Sequence, residues 1–368
     1  GGCRRIWRTW RWLGLVLLVL AILMSYTGVM HVPSQPPPPP AFFNCSTQPA
    51  HAFEPVVLTN AKRSVTATMI AYGATMTHLM VNDREDVPRD VLLGWDDPRQ
   101  YCANAQHTYF GATIGRVANR IANCSFSLDG QLYPLSCNEK DFDTLHGGIV
   151  GWDRRVWTPL ARNRSSVTWH YRSPAGEMGF PGAIEVNVTH SIGDDDAWSI
   201  RYSATTDART VLAMTNHAYF NLNANVGNEP VVLEHQLSMP AATRLLEVST
   251  APAYHLVPTG RVLEVAPGSA FDFTAAPPAA KPLGRDIDRG VVTAKGGYDN
   301  AWLFSDWRQG MAPRVVATLS SPRTGIALEM ATDQPSVQVY TGNFLNGTDS
   351  ALRLRRKASQ SFGSAPQY

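Results

Sequence analysis

The sequence predicts an all-β protein, a large sandwich or barrel of many short strands. Three observations predict it. From about Glu54 onward apolar side chains recur every second residue and not every 3.6, no segment has the stripe of a helix of ordinary length, and 28 Gly and 26 Pro among 368 residues divide the chain into short pieces.

Taken in order, residues 65–72 and 184–189 alternate inward and outward side chains, as does Val337-Gln-Val-Tyr340. Residues 126–133 read as a hairpin with Asp129-Gly130 in its turn, because a type I′ turn needs positive φ, which Gly tolerates. Residues 168–171, 198–205, 231–238, 315–320 and 326–330 add further short strands bounded by Gly, Pro, Asn and Asp. Pro277-Pro278 in an Ala-rich stretch marks a surface loop, and no internal repeat signals a propeller.

Composition narrows the class. Only 17% of residues are charged, against roughly 25% in an average soluble domain, which excludes coiled coil and disorder. A net charge of +2 argues against a nucleic-acid partner. That small excess sits at the ends, with four Arg and no acid in residues 1–11, and three Arg and one Lys with no acid in residues 350–368. Arg4, Arg5, Arg8 and Arg11 precede the uncharged residues 12–32, a length that spans a bilayer. The expected organisation is a basic cytoplasmic segment 1–11, a signal-anchor or signal peptide 12–32, a Pro-rich stalk 33–53 and a β-sandwich domain 54–368. The membrane, met through the N-terminal segment, is thus an expected partner, in a type II or secreted protein with a lumenal body. Sequons at Asn44, Asn123, Asn163, Asn187 and Asn346 agree with export. Of five Cys, Cys124 and Cys137 flank the hairpin, where a bridge and two buried free thiols are both open readings.

Four clusters combine Gly or Asn with titratable groups. In Gly115-Arg-Val-Ala-Asn-Arg-Ile121, Asn119 and Arg120 bring donors suited to hydroxyl-rich ligands, or they serve as turn and ion-pair residues. In Leu145-His-Gly-Gly148 two glycines let backbone approach a ligand closely beside His146, unless the loop is simply tight. Thr215-Asn-His-Ala-Tyr-Phe-Asn-Leu222 places His217 among polar and aromatic groups, the ordinary alternative being a half-buried strand histidine. Gly296-Gly-Tyr-Asp-Asn300 offers Asp299, although such an Asp usually bonds its own turn. The other eight of ten His lack metal-ligand spacing, and no C-x-x-C, G-x-S-x-G, Walker loop or dinucleotide fingerprint occurs, so no metal is expected.

Read together with residues 91–97, 109–121, 179–182 and 332–344, these clusters resemble the aldose 1-epimerase (galactose mutarotase) family over about residues 54–368. The resemblance implies a large β-sandwich and interconversion of the α and β anomers of free aldohexoses without cofactor. It implies that His217 protonates the ring oxygen, that His146 bonds the sugar and assists, and that Asn119, Arg120, Tyr219, Asp299 and Gln338 grip hydroxyls. It also expects a Glu base on a late strand past Tyr-Thr-Gly-Asn-Phe344, yet no Glu follows Glu329. The reading is therefore an epimerase whose C-terminal strands are truncated, with a catalytically inactive hexose-binding module as the alternative.

Overall fold

The computed structural model describes residues 44–103, 108–139, 142–224, 232–249, 256–287 and 297–345. Among them strands dominate, and the two α-helices, Gln100–Ala103 and Gly284–Ile287, are four residues each. No helix of these residues is long and apolar enough to cross a membrane. The expected segment 12–32, Cys3 and Asn346 lie outside the described residues.

Among the described residues four antiparallel four-stranded sheets carry the fold. Two are simple meanders, Val56–Thr59 through Val65–Ile70 and Thr75–Asn82 to Pro88–Asp90, and Thr158–Arg162 through Ser166–Ser173 and Ile184–Ile192 to Trp198–Thr206. Period-two burial is clearest in Ile184–Ile192, whose buried Ile184, Val186, Val188, His190 and Ile192 alternate with more exposed residues. These faces share one core in which Leu58, Met69, Trp157, Val167, Trp169 and Val186 interlock. The other two sheets run in strand order Lys281–Pro282, Gln236–Ser238, Arg314–Ser320, Ala327–Thr332 and Pro258–Glu264, Arg244–Val248, Asp299–Leu303, Ser336–Tyr340. Leu237, Leu245, Trp302, Phe304 and Val316 form their core, and Leu319 packs against both clusters. Burial of such side chains, worth roughly 1.5–3 kcal/mol each, is the main driving force here.

The hairpin is as the sequence predicts, with Ser125–Leu128 paired to Gln131–Pro134 and both Asp129 (φ 53°) and Gly130 (φ 79°) left-handed. Two expectations shift. The strand expected at 231–238 is reduced to Gln236–Ser238, because Val232 to His235 closes a turn by an N–H to carbonyl bond of 3.0 Å. The packed part also reaches back into the expected stalk: Cys45 is bridged to Cys102, and Ala52 and Phe53 are buried against Ile70 and Tyr72. A second bridge joins Cys124 to Cys137, which settles the open reading of that pair.

The Gly-Phe-Pro-Gly turn at 179–182 is structural. A Cβ on Gly179 would lie 2.1 Å from the Pro134 carbonyl oxygen. Arg116, 1% exposed, donates to Ser173 Oγ at 2.7 Å and to the carbonyls of Pro174 at 2.8 Å and Pro181 at 2.7 Å. This buried guanidinium ties the turn to the segment that leads into Asn119-Arg120.

Candidate functional site

Two short ladders bring the histidines together. Thr215–Asn216 pairs with Thr113–Ile114, and immediately beyond it His217 donates its N–H to Ala112 at 2.9 Å while its carbonyl accepts from Gly111 at 2.9 Å. Gly111 is required there: its φ is 62° and a Cβ would stand 1.9 Å from the Met76 carbonyl oxygen. Arg120–Ala122 pairs with Asp143–Leu145, and past its end His146 donates its N–H to the Asn119 carbonyl at 3.1 Å. The two imidazole centroids end up 5.0 Å apart with their planes at 87°.

Of the two readings open for the glycines after His146, the geometry fits the tight loop. A Cβ on Gly147 would fall 2.0 Å from the Gly115 carbonyl oxygen and one on Gly148 would fall 2.3 Å from Ser136 Oγ, so the close approach is to the chain's own atoms. They let the His146 loop seat on the backbone at Gly115.

Asp299 also departs from the reading of a self-bonded turn residue. It begins the strand Asp299–Leu303, directly opposite Tyr340 on Ser336–Tyr340, and Gln338 lies two residues along on the same partner strand. Gln338 Nε2 donates to Asp299 Oδ1 at 2.7 Å, and Asn119 Nδ2 donates to Gln338 Oε1 at 3.3 Å. Burial is the chief reason that the Asp299 carboxyl titrates above its ordinary value, and the nearby Arg120 charge opposes the shift. Arg120 itself faces Glu139 at 3.8 Å.

The backbone of Asn119 thus contacts His146 and its side chain reaches Gln338, so a continuous line of hydrogen bonds runs His146–Asn119–Gln338–Asp299. Tyr219 stacks on His217 at 5.0 Å and meets Tyr340 edge-on at 5.7 Å. Its phenol is buried and pushed well above the usual tyrosine range, so it is a neutral hydrogen-bonding and stacking group. All seven expected site residues therefore belong to one connected assembly. Imidazoles, whose chemistry allows proton exchange, stand beside a carboxylate, a guanidinium and two amides, groups chemically suited to hydroxyl ligands. Among the described residues no group of three or more His, Cys, Asp or Glu is placed to hold a metal ion.

Two members carry no role in the sequence reading. Tyr109 has its ring 4.7 Å from that of His146 and 5.7 Å from that of His217, and Glu139 sits against Arg120. Tyr109 opens a motif noted in the sequence, but only the two ladders bring its ring to the histidines.

Known proteins resemble this chain in sequence and in fold. The profile of the family described as aldose 1-epimerase matches residues 55–365. The galactose mutarotase of Sus scrofa is 36% identical over 282 residues, which cover 76% of this chain and 75% of that protein. The aldose 1-epimerase of Escherichia coli is 35% identical over 283 residues, 77% of each. The crystal structure of an aldose epimerase homologue from C. elegans superposes with a TM-score of 0.68 at 29% identity, covering 79% of this chain and 82% of that one.

Proposed function

The chain belongs to the aldose 1-epimerase family, and from that premise we propose that its imidazole pair opens and closes the ring of a free aldohexose such as galactose or glucose. The activity is isomerisation: α and β anomers interconvert through the open-chain aldehyde. The exchange requires that the ring oxygen gain a proton while the C1 hydroxyl loses one, after which the aldehyde turns and closes on its other face. His217 gives its proton to the ring oxygen, and His146 donates a hydrogen bond that orients the sugar. Asn119, Arg120, Asp299 and Gln338 hold the hydroxyls, and Tyr219 offers its ring beside His217. Imidazole suits the acid role because its unperturbed pKa of ~6.5 keeps both forms accessible near neutrality. The described residues supply the acid and the grip, and ring opening requires in addition a base that takes the proton of the C1 hydroxyl.

The observation that carries this reading is the pair of imidazoles 5.0 Å apart and perpendicular, joined through Asn119 and Gln338 to Asp299. Polarimetry of freshly dissolved α-D-galactose and α-D-glucose tests it. Mutarotation faster than buffer, lost in His217→Ala, is the expected result, and a folded chain no faster than buffer overturns it.

We further propose that the body faces an oxidising lumen, held there through residues 12–32, which lie outside the described residues. The bridges Cys45–Cys102 and Cys124–Cys137 support this, since such bonds persist in secretory compartments. Asn44, Asn123 and Asn163 are exposed, as glycan attachment requires, whereas Asn187 lies within the strand Ile184–Ile192 and is bonded to His170 at 3.0 Å. Protease protection of membranes carrying the full chain, with glycosidase shifts, tests the topology. An unglycosylated, cytosol-facing body would exclude it.

A further inference from the structure

Tyr109 makes ring contact with both imidazoles at once. It meets His146 nearly edge-on, at 68°, and lies almost parallel to His217, at 23°. With the direct contact between the histidines, the three rings form a closed triangle. Holding Tyr109 there has a conformational cost: its φ is 60°, a left-handed value that a bulky aromatic residue rarely adopts, and such strain concentrates at functional sites.

The neighbouring residues enforce that conformation. Phe110 is 2% exposed and wedged between Trp95 at 5.7 Å and Tyr219 at 4.9 Å. Gly111 accepts from Met76 at 2.9 Å, and Ala112 donates back to the Tyr109 carbonyl at 3.1 Å. Gly111 and Ala112 are also the residues that hold the backbone of His217. The placement of Tyr109 and that of His217 are therefore set by one turn.

Tyr109 also borders a small cavity of about 20 Å³ shared with Tyr72, Thr75, Thr108 and Asp153. A space of that size admits one water. The ring thus stands at the boundary between the histidines and a pocket large enough for one water.

We propose that Tyr109 is a positioning residue, a wedge that fixes the mutual angle of the His146 and His217 rings and keeps pocket water from the face of His217. The proposal rests on the reading of His217 as acid and His146 as its assistant. Its hydroxyl is not the active part: burial drives the phenol pKa far up, so the group stays neutral and acts through its ring.

The test compares Tyr109→Leu with Tyr109→Phe in the full chain, using mutarotation and histidine-selective 15N NMR, which does not depend on turnover. Tyr109→Leu is expected to lower kcat about 10- to 100-fold with KM within about threefold, the scale expected of a small misplacement of a catalytic group. The imidazole signals of both His146 and His217 should move and their titrations change. Tyr109→Phe should recover at least about tenfold of the loss and return the signals toward the wild-type positions. A folded Leu variant with unchanged kcat and unchanged imidazole signals overturns the proposal. Should the Leu variant not fold, Tyr109→Met takes its place and the same two results decide. Wild-type protein that shows the ring coupling by NMR but no mutarotation would instead count against the epimerase reading alone.

Discussion

The backbone N–H of Asn119 donates to Nδ1 of His146 across 2.9 Å, while the Asn119 carbonyl accepts the N–H of His146 at 3.1 Å. A backbone amide can only donate. Nδ1 must therefore offer its lone pair, and a neutral His146 carries its proton on Nε2. Long-range 1H–15N spectra should show Nδ1 of His146 unprotonated at neutral pH. Detection of a proton there would rule out the arrangement.

Gly147→Ala should damage the site more than its size implies. Its φ of 90° and the 2.0 Å contact of the new Cβ with the Gly115 carbonyl force the His146 loop off its seat. Overpacking plus left-handed strain costs about 2 kcal/mol or more in stability. Displacing the imidazole by about 1 Å costs a further ~100-fold in kcat. Thermal unfolding and mutarotation rates check both figures, and an unaltered rate would contradict the seating role.

Asp299→Asn should trade sugar binding for stability in a pH-dependent way. Because burial raises the folded-state pKa, the native protein binds more protons than the unfolded chain between the ordinary aspartate value of ~3.9 and the raised one. Stability therefore falls as pH rises through that window, and the cost is fully present above it. The Asn variant should melt a few degrees higher than wild type at pH 7, show no such gain at pH 3, and bind hexose at least about tenfold more weakly. Melting curves at the two pH values with a hexose titration decide it.

The bridges predict a thiol count. Two of them occupy four of the five cysteines, so alkylation of denatured, unreduced protein should label Cys3 alone. Replacing Cys124 and Cys137 by Ser, a pair 13 residues apart, should lose about 3 kcal/mol on loop-entropy grounds. Mass spectrometry and denaturant unfolding measure each.

What could be read from the sequence follows a physical division. The Asp129-Gly130 turn and the alternation of Ile184–Ile192 are local, since turn chemistry and period two need only neighbouring residues. His146, His217, Asn119, Arg120, Tyr219, Asp299 and Gln338 could be singled out because each stands in a short motif. The bridge from Cys45 to Cys102 spans 57 residues and no spacing announces it. The glycines after His146 were visible but their purpose was not, since Gly115 and Ser136, which they approach, are remote in sequence. Asp299 looked like a turn residue until its strand was paired with Ser336–Tyr340.

Tyr109 (φ 60°), Asn119 (φ 66°) and His146 (φ 51°) are all non-glycine residues held left-handed within the one site. Each would gain backbone comfort as glycine, and each would then surrender a ring or an amide on which the proposed chemistry relies. An engineer seeking a hardier catalyst should leave these three positions alone and search the solvent-facing strands, such as Trp198–Thr206, where side chains are largely exposed.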